Sequence, residues 1–333
     1  MNPFKPVTTI VESFESKLSH FRTVINERLN EVAVNAQPAS FYEPVRYVLE
    51  GDGKRIRPIL LILACQSVGG DINQCLNAAV AIELLHNFTL VHDDIMDHDD
   101  LRRGRITVHK KWDQATAILA GDGLVALAYQ NLLKTESDRI LEISKIFTEG
   151  IIDLCEGQAL DKDFESRPEI ELNEYMRMIE KKTARLLMIA SEIGVIIGRG
   201  SQKEQSILGQ FSLELGCAFQ IRDDVLDIEH SSGKSYASDI RQKKKTILFV
   251  HALNHARQND RDRLQKIYQK PEINSNDIET IRSIFETAGS LSFTLNQVET
   301  RINNARAALN KLRLTDAQHD LHELLNLILT RKN

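Results

Sequence analysis

Apolar residues recur at helical spacing along almost the whole chain, and strand-like alternation is nearly absent. The pattern predicts an amphipathic helix over residues 7–34, with Phe14, Leu18, Phe21, Ile25 and Leu29 on one side. A second covers 41–49 and ends at the turn signal Glu50-Gly51-Asp52-Gly53. Pro58, suited to a first helical turn, launches a helix over 59–68. Asp71 or Asn73 caps the next, a long helix through Ala78, Ile82, Leu85 and Thr89 into a cluster of aspartates. Segment 107–113 then leads to a helix over 115–133, where Gly121-Asp122-Gly123 permits close helix contact. The next covers 136–159, closed by the polar groups of Gly157-Gln158-Ala159-Leu160-Asp161. Helices over 173–198 and 203–228 precede a polar, loop-like stretch at 229–245, and 246–257, 260–269, 276–289, 291–312 and 317–329 complete the series. No repeat is visible at the ~20–50-residue periods of solenoids. The expectation is an all-α helical bundle forming a single domain over 1–333.

The aspartate cluster organises the rest. In His92-Asp93-Asp94-Ile95-Met96-Asp97-His98-Asp99-Asp100, five carboxylates fall within eight residues, and Arg102-Arg103-Gly104 follows. Asp93 and Asp97 stand one helical turn apart on one face, where like charges repel. Such a pair calls for a cation, and all-oxygen ligands with room for water suit Mg²⁺ that a substrate phosphate also holds. The pattern returns 130 residues later as Asp223-Asp224-Val225-Leu226-Asp227, preceded by Phe219-Gln220-Ile221-Arg222. A lone Asp-Asp-x-x-Asp reads as a solvated helix end. Two copies, each closing an apolar helical run, read as the halves of a shared metal–diphosphate site. Basic groups at Lys54, Arg55, Arg57, Arg102, Arg103, Lys181, Lys182, Lys234 and 243–245 exceed what one diphosphate needs, which points to two phosphorylated substrates. His86 and Gln220 add neutral hydrogen-bonding groups.

Composition narrows the class. Hydrophobic content of 42% and charged content of 27% describe an ordinary globular protein, and a net charge of −5 argues against general nucleic-acid binding. Cys65, Cys75, Cys155 and Cys217 are scattered in apolar helical contexts without ligand-like spacing, so they are expected to be reduced in a cytoplasmic protein. The first residues carry Glu12, Glu15 and Lys17 and no apolar signal core. The longest apolar region, 186–198, is broken by Ser191 and Glu192 and is too short to span a bilayer.

The sequence resembles the trans-isoprenyl diphosphate synthase (polyprenyl synthetase) family over nearly its whole length. The resemblance is carried by Gly53-Lys54-Arg55-Ile56-Arg57-Pro58, by Leu90 to Asp97 with Arg102-Arg103-Gly104, and by Gly157-Gln158-Ala159-Leu160-Asp161. Lys182-Thr183, Phe219 to Asp227, and Gly233-Lys234 through Lys244-Lys245-Thr246 continue it in the family's order. It implies the class I isoprenoid synthase bundle with a central active-site cavity. The implied reaction is head-to-tail condensation of isopentenyl diphosphate with an allylic diphosphate. Position by position, the resemblance makes Asp93, Asp97 and Asp223 the ligands of three Mg²⁺ ions (Mn²⁺ as a substitute), with Asp94, Asp161, Asp224 and Asp227 in support. Arg102, Lys182 and Lys244, with Lys234 nearby, would contact the allylic diphosphate; Lys54, Arg57, His86 and Arg103 would take isopentenyl diphosphate. Thr183 and Gln220 would face the allylic cation. A homodimer is implied too.

Lys243 departs from the family, which usually has Gly or Asn there; its charge either tightens diphosphate binding or sits in solvent. Asp99 and Asp100 are expected to be solvated. Thr89 lies one turn below Asp93, and Phe88 beside it sits about 7 Å below the metal ligands along the helix axis. An aromatic there should floor the pocket, as in geranylgeranyl and farnesyl diphosphate synthases, so a C20 product is expected ahead of C15. Rivals are a C30 or longer polyprenyl synthase, a class I terpene cyclase, a metal-dependent phosphohydrolase and a regulatory subunit. Lys54, Arg57 and Arg103 count against the cyclase, and two complete Asp clusters against the subunit.

Overall fold

The computed structural model describes residues 13–34, 36–229, 237–313 and 315–329. Helix follows helix: α1 (Phe14–Val32), α2 (Ala39–Leu49), α3 (Ile56–Ser67) and α4 (Ile72–Met96). A two-stranded hairpin, β1 (Leu101–Arg102) with β2 (Arg105–Ile106), interrupts them. Then come α5 (Val108–Lys111), α6 (Gln114–Leu132), α7 (Ile140–Ser166) and α8 (Leu172–Ile179). A π turn at Glu180–Ala184 runs directly into α9 (Arg185–Ile197), and α10 (Gln202–Ile228) follows. The remainder is α11 (Ser238–Arg241), α12 (Ile247–His255), α13 (Gln258–Tyr268), α14 (Ser275–Thr287), α15 (Ser290–Leu309) and α16 (Asp316–Leu329). The all-α expectation is met.

Capping chemistry sets several starts. Ser13, Asp113, Ser201 and Asn274 each accept a backbone N–H at a helix start. At α4 the cap is Asp71, closed reciprocally by Gln74. The core centres on α3, whose residues from Ile59 to Cys65 are all fully buried. A helix apolar on every side must be covered all round, and α4, α9 and α16 pack against it. A second apolar cluster joins α8, α10 and the helices from α12 to α15.

Four expectations need correction. The opening helix starts at Phe14, and positions 7–12 of the expected span lie outside the described residues. The helix expected to close near Ala159 begins at Ile140 and runs on to Ser166. The helix expected over 173–198 is broken by the π turn. The 101–106 hairpin, turned by Arg103 (φ 53°) and Gly104 (φ 73°), gave no strand-like period.

The π turn is gripped closely. A Cβ at Gly157 on α7 would lie 2.3 Å from the Lys182 amide nitrogen, and one at Gly216 on α10 would lie 2.5 Å from Ala184 Cα. Only glycine lets the two flanking helices come this near.

Candidate active site

The end of α4, the C-terminal part of α7, the π turn and the segment before α12 converge through lysines. Lys244 Nζ lies 3.0 Å from Asp97 Oδ1, 3.1 Å from Asp161 Oδ2 and 2.8 Å from Glu165 Oε1. Lys182 Nζ, from the π turn, lies 2.6 Å from the same Asp161 oxygen. Burial opposes ionisation of Asp161, but the Lys182 and Lys244 ammonium groups outweigh it and hold its carboxyl below the usual value. Burial likewise disfavours the charged Lys244, yet Asp161 and Asp97 push its pKa up. Asp93 goes the other way: burial raises its carboxyl, and Lys182 only partly offsets this.

A second set of hydrogen bonds runs from the π turn to α10. The Thr183 hydroxyl donates to Gln220 Oε1 (2.8 Å), and Gln220 Nε2 donates to Asp224 Oδ1 (3.0 Å). Asp224 Oδ2 accepts from the Tyr175 hydroxyl (2.7 Å) and the Ile247 amide (3.3 Å). Burial pushes the Asp224 carboxyl up to about 6. Asp224 therefore holds Gln220 in one orientation and faces the protein interior. Asp227 accepts from Ser238 N and Oγ (3.0 and 2.9 Å) and from Asp239 N (3.0 Å), capping α11 and fixing the approach to Lys244. Asp223 is half-buried and shares the α10 face of Gln220, three residues earlier.

The hairpin brings Arg102 back to its own helix. Arg102 Nε donates to Asp94 Oδ1 (2.7 Å) and Nη2 to Asp99 Oδ2 (3.0 Å). Burial nonetheless raises the Asp94 carboxyl to about 6. Asp99, expected in solvent, is half-buried and also receives Gln242 Nε2 at 3.1 Å; Asp100 is exposed, pairing with Lys110. Arg57 Nη1 lies 3.2 Å from His86 Nε2, and burial together with that guanidinium keeps His86 neutral. Arg103 is exposed and donates to the Asp52 carbonyl at 2.8 Å. Its Nη1 and that of Arg55 both approach the Cβ position of Gly53 to 2.9 Å, so the loop of the exposed Lys54 is threaded between guanidiniums.

Other basic groups of the sequence pattern stand elsewhere. Arg55 is buried on Glu83 (2.7 Å) and Asn26 (2.8 Å), serving the fold. Lys181 pairs with Asp153 and Glu156 on α7. Lys243 has φ 59°, the region that favours Gly or Asn, and turns to donate to the Lys270 carbonyl. Lys234 lies outside the described residues. Below Asp93, Thr89 bonds back to the His86 carbonyl (2.8 Å), and the Phe88 ring meets the His92 ring edge-on at 4.7 Å.

Glu165, Tyr175 and Gln242 were not expected at the site. Glu165 falls one turn after Asp161 and was within reach of helical counting; Tyr175 and Gln242 are brought in only by tertiary packing. Among the described residues, no three His, Cys, Asp or Glu side chains come together as a ready-made metal cage.

An all-α bundle carrying an Asp-Asp-x-x-Asp on each of two helices, the first joined through Lys244 to the Asp161 that Lys182 also holds, is of the isoprenoid synthase class. The polyprenyl synthetase family model matches residues 38–286, and the chain belongs to that family. It is 37% identical over 310 residues to a geranylgeranyl diphosphate synthase of Methanosarcina mazei, covering 92% of this chain and 93% of that one. A geranylfarnesyl diphosphate synthase of Natronomonas pharaonis is 34% identical over 344 residues, covering 97% and 99%. The crystal structure of geranylgeranyl pyrophosphate synthetase from Pyrococcus horikoshii superimposes with a TM-score of 0.91 at 34% identity, covering 96% of this chain and 98% of that one.

Proposed function

We propose that the protein is a Mg²⁺-dependent trans-prenyltransferase that condenses isopentenyl diphosphate with dimethylallyl, geranyl or farnesyl diphosphate, giving geranylgeranyl diphosphate in preference to farnesyl diphosphate. The observation that carries this is the pair of ammonium groups, Lys182 and Lys244, meeting at Asp161 beside Asp97. It is an anion-binding end built next to a cation-binding one. Family membership and the names of the archaeal relatives support the product class.

The donor set suits Mg²⁺. Asp93, Asp97 and Asp223 offer carboxylate oxygens without forming a closed cage, which matches an ion that takes one or two carboxylates plus substrate phosphates. Asp93, its carboxyl raised by burial, gains from a neighbouring cation. Asp93, Asp97 and Asp223 would hold Mg²⁺ there (three ions in this reading), which would supply charge neutralisation for the departing diphosphate. Lys182, Lys244 and Arg102 bind the same diphosphate by charge-assisted hydrogen bonds. Lys54, Arg57 and Arg103 hold isopentenyl diphosphate, and neutral His86, accepting from Arg57, keeps an N–H to offer.

As the allylic C–O bond breaks, the Thr183 and Gln220 oxygens face the cation, and Asp224 prevents the amide from flipping its N–H₂ inward. The isopentenyl double bond attacks, and the proton lost from its C2 passes to the released pyrophosphate. Apolar walls exclude water from the cation.

A single polyprenyl synthetase domain in a homodimer completes the reading. Exposed Ile118, Leu119 and Leu133 at α6 and Leu141 and Ile152 on α7 suit a subunit interface. No described helix is long and apolar enough to cross a membrane, which accords with a cytoplasmic enzyme.

The test is mass spectrometry of products from purified protein, Mg²⁺, isopentenyl diphosphate and each allylic primer in turn. A C20 diphosphate is expected. C30 or longer chains would refute the pocket floor, and cyclic hydrocarbon without condensation would refute the reaction class.

A further inference from the structure

Phe88 and His92 lie one turn apart on the face of α4 that packs against α6. Helical side chains lean toward the N-terminus, so the residue four positions later covers the one before it. The His92 ring accordingly meets Phe88 edge-on, 4.7 Å between centroids with the planes at 65°.

What seats His92 is a gap in α6. A Cβ at Gly121 would stand 2.1 Å from His92 Nε2 and 2.4 Å from Cδ2, so any other residue would drive the ring from its slot. Nε2 lies 3.4 Å from the Ile118 carbonyl and 3.9 Å from Asp122 Oδ1, both on α6. The ring is held between two helices and in turn limits where Phe88 can swing.

We propose that His92, seated on Gly121, is a positioning residue for product length: it fixes the Phe88 ring and thereby the depth of the chain pocket. This rests on the prenyltransferase reading above. A phenylalanine in a helix has two accessible χ1 wells, and loss of the His92 ring opens space into which Phe88 can turn, lowering the floor by about one isoprene unit.

Four single variants and one double variant test it, with isopentenyl diphosphate, dimethylallyl diphosphate and Mg²⁺ as reactants and the chain-length distribution as readout. His92→Ala is expected to raise the C25-to-C20 ratio roughly tenfold or more, the scale of small changes in pocket fit. His92→Phe, which keeps a ring against Phe88, should hold the product at C20. Gly121→Ala should move the distribution away from wild type by unseating His92 from the other helix. Phe88→Ala should lengthen the product, and adding His92→Ala to it should lengthen it no further. An unchanged distribution in His92→Ala, or an additive double variant, overturns the proposal. If His92→Ala does not fold, an unchanged distribution in Gly121→Ala overturns it equally. Wild-type protein that makes no prenyl product refutes the functional reading instead.

Discussion

Replacing Asp161 by asparagine removes one charge from the point where Lys182 and Lys244 meet while leaving the shape intact. At an effective dielectric of about 20, ammonium groups 2.6 and 3.1 Å away each attract the carboxylate by roughly 5–6 kcal/mol. Burial of Asp161 works against that sum, and breaking a buried pair typically costs about 3–5 kcal/mol net. The lower end applies here. Lys244 keeps Asp97 and Glu165, and the Lys182 side chain is 24% exposed. A loss of about 3 kcal/mol is therefore expected from urea unfolding at neutral pH. The sign with pH follows from the depressed carboxyl of Asp161. Its contribution is full above the unfolded carboxylate value of ~3.9 and fades as pH falls through the lower folded value. The gap between wild type and variant should narrow in acid. A cycle with Lys182→Met should show coupling of about 1–2 kcal/mol. A loss under about 1 kcal/mol without coupling would refute the idea that this contact ties α7 to the π turn.

Asp93→Ala and Asp223→Ala should each lower isopentenyl incorporation by ~10³-fold or more, since each removes a proposed metal ligand; near-normal incorporation in either would remove that ligand from the assignment. Thr183→Val keeps the side-chain shape and loses the hydroxyl that bonds Gln220. It should reduce kcat by ~10–100-fold with little change in KM, measured by steady-state kinetics. Lys245 is buried above the rings of Phe249 and Tyr268 (4.6 and 4.8 Å), and burial, with Lys243 adding to it, lowers its pKa to about 8. Because the folded value lies below the unfolded ~10.4, wild-type protein is penalised near neutral pH and relieved as pH rises from about 8 to 10. The two ring faces offset part of the cost. Lys245→Met should gain about 1–2 kcal/mol at pH 7, with the gain shrinking toward pH 10 in thermal melts.

Local chemistry explains what could be read from the chain before its fold. Apolar periodicity placed the helices, and the Asp71 cap and the Asp93/Asp97 face follow from rules spanning four residues or fewer. What escaped depends on partners far away. Gly157-Gln158-Ala159 looked like a helix end, yet α7 continues because Gly157 admits the π turn and Asp161 and Glu165 find lysines from distant segments. The π turn adds one residue to a helical run without a distinctive composition. Charge alone could not distinguish Lys182, which enters the site, from Lys181, which pairs outward with Asp153. The second cluster divides similarly: Asp224 and Asp227 look equivalent to Asp223 in sequence, but one orients Gln220 and the other caps α11.

Gly157 and Gly216 leave the main chain of the π turn in near contact with α7 and α10. At Gly157 the nearest atoms are all main chain, so the place of Lys182 and Thr183 is set largely by the backbone packing of α7 against the turn. His92, by contrast, meets α6 through its own ring, which stands against Phe88. The architecture thus separates a part set by main-chain packing from a part set by side-chain rings. On the proposed reading, a lineage could rewrite how long a chain it builds through α4 and α6 while inheriting the bond-making step unaltered.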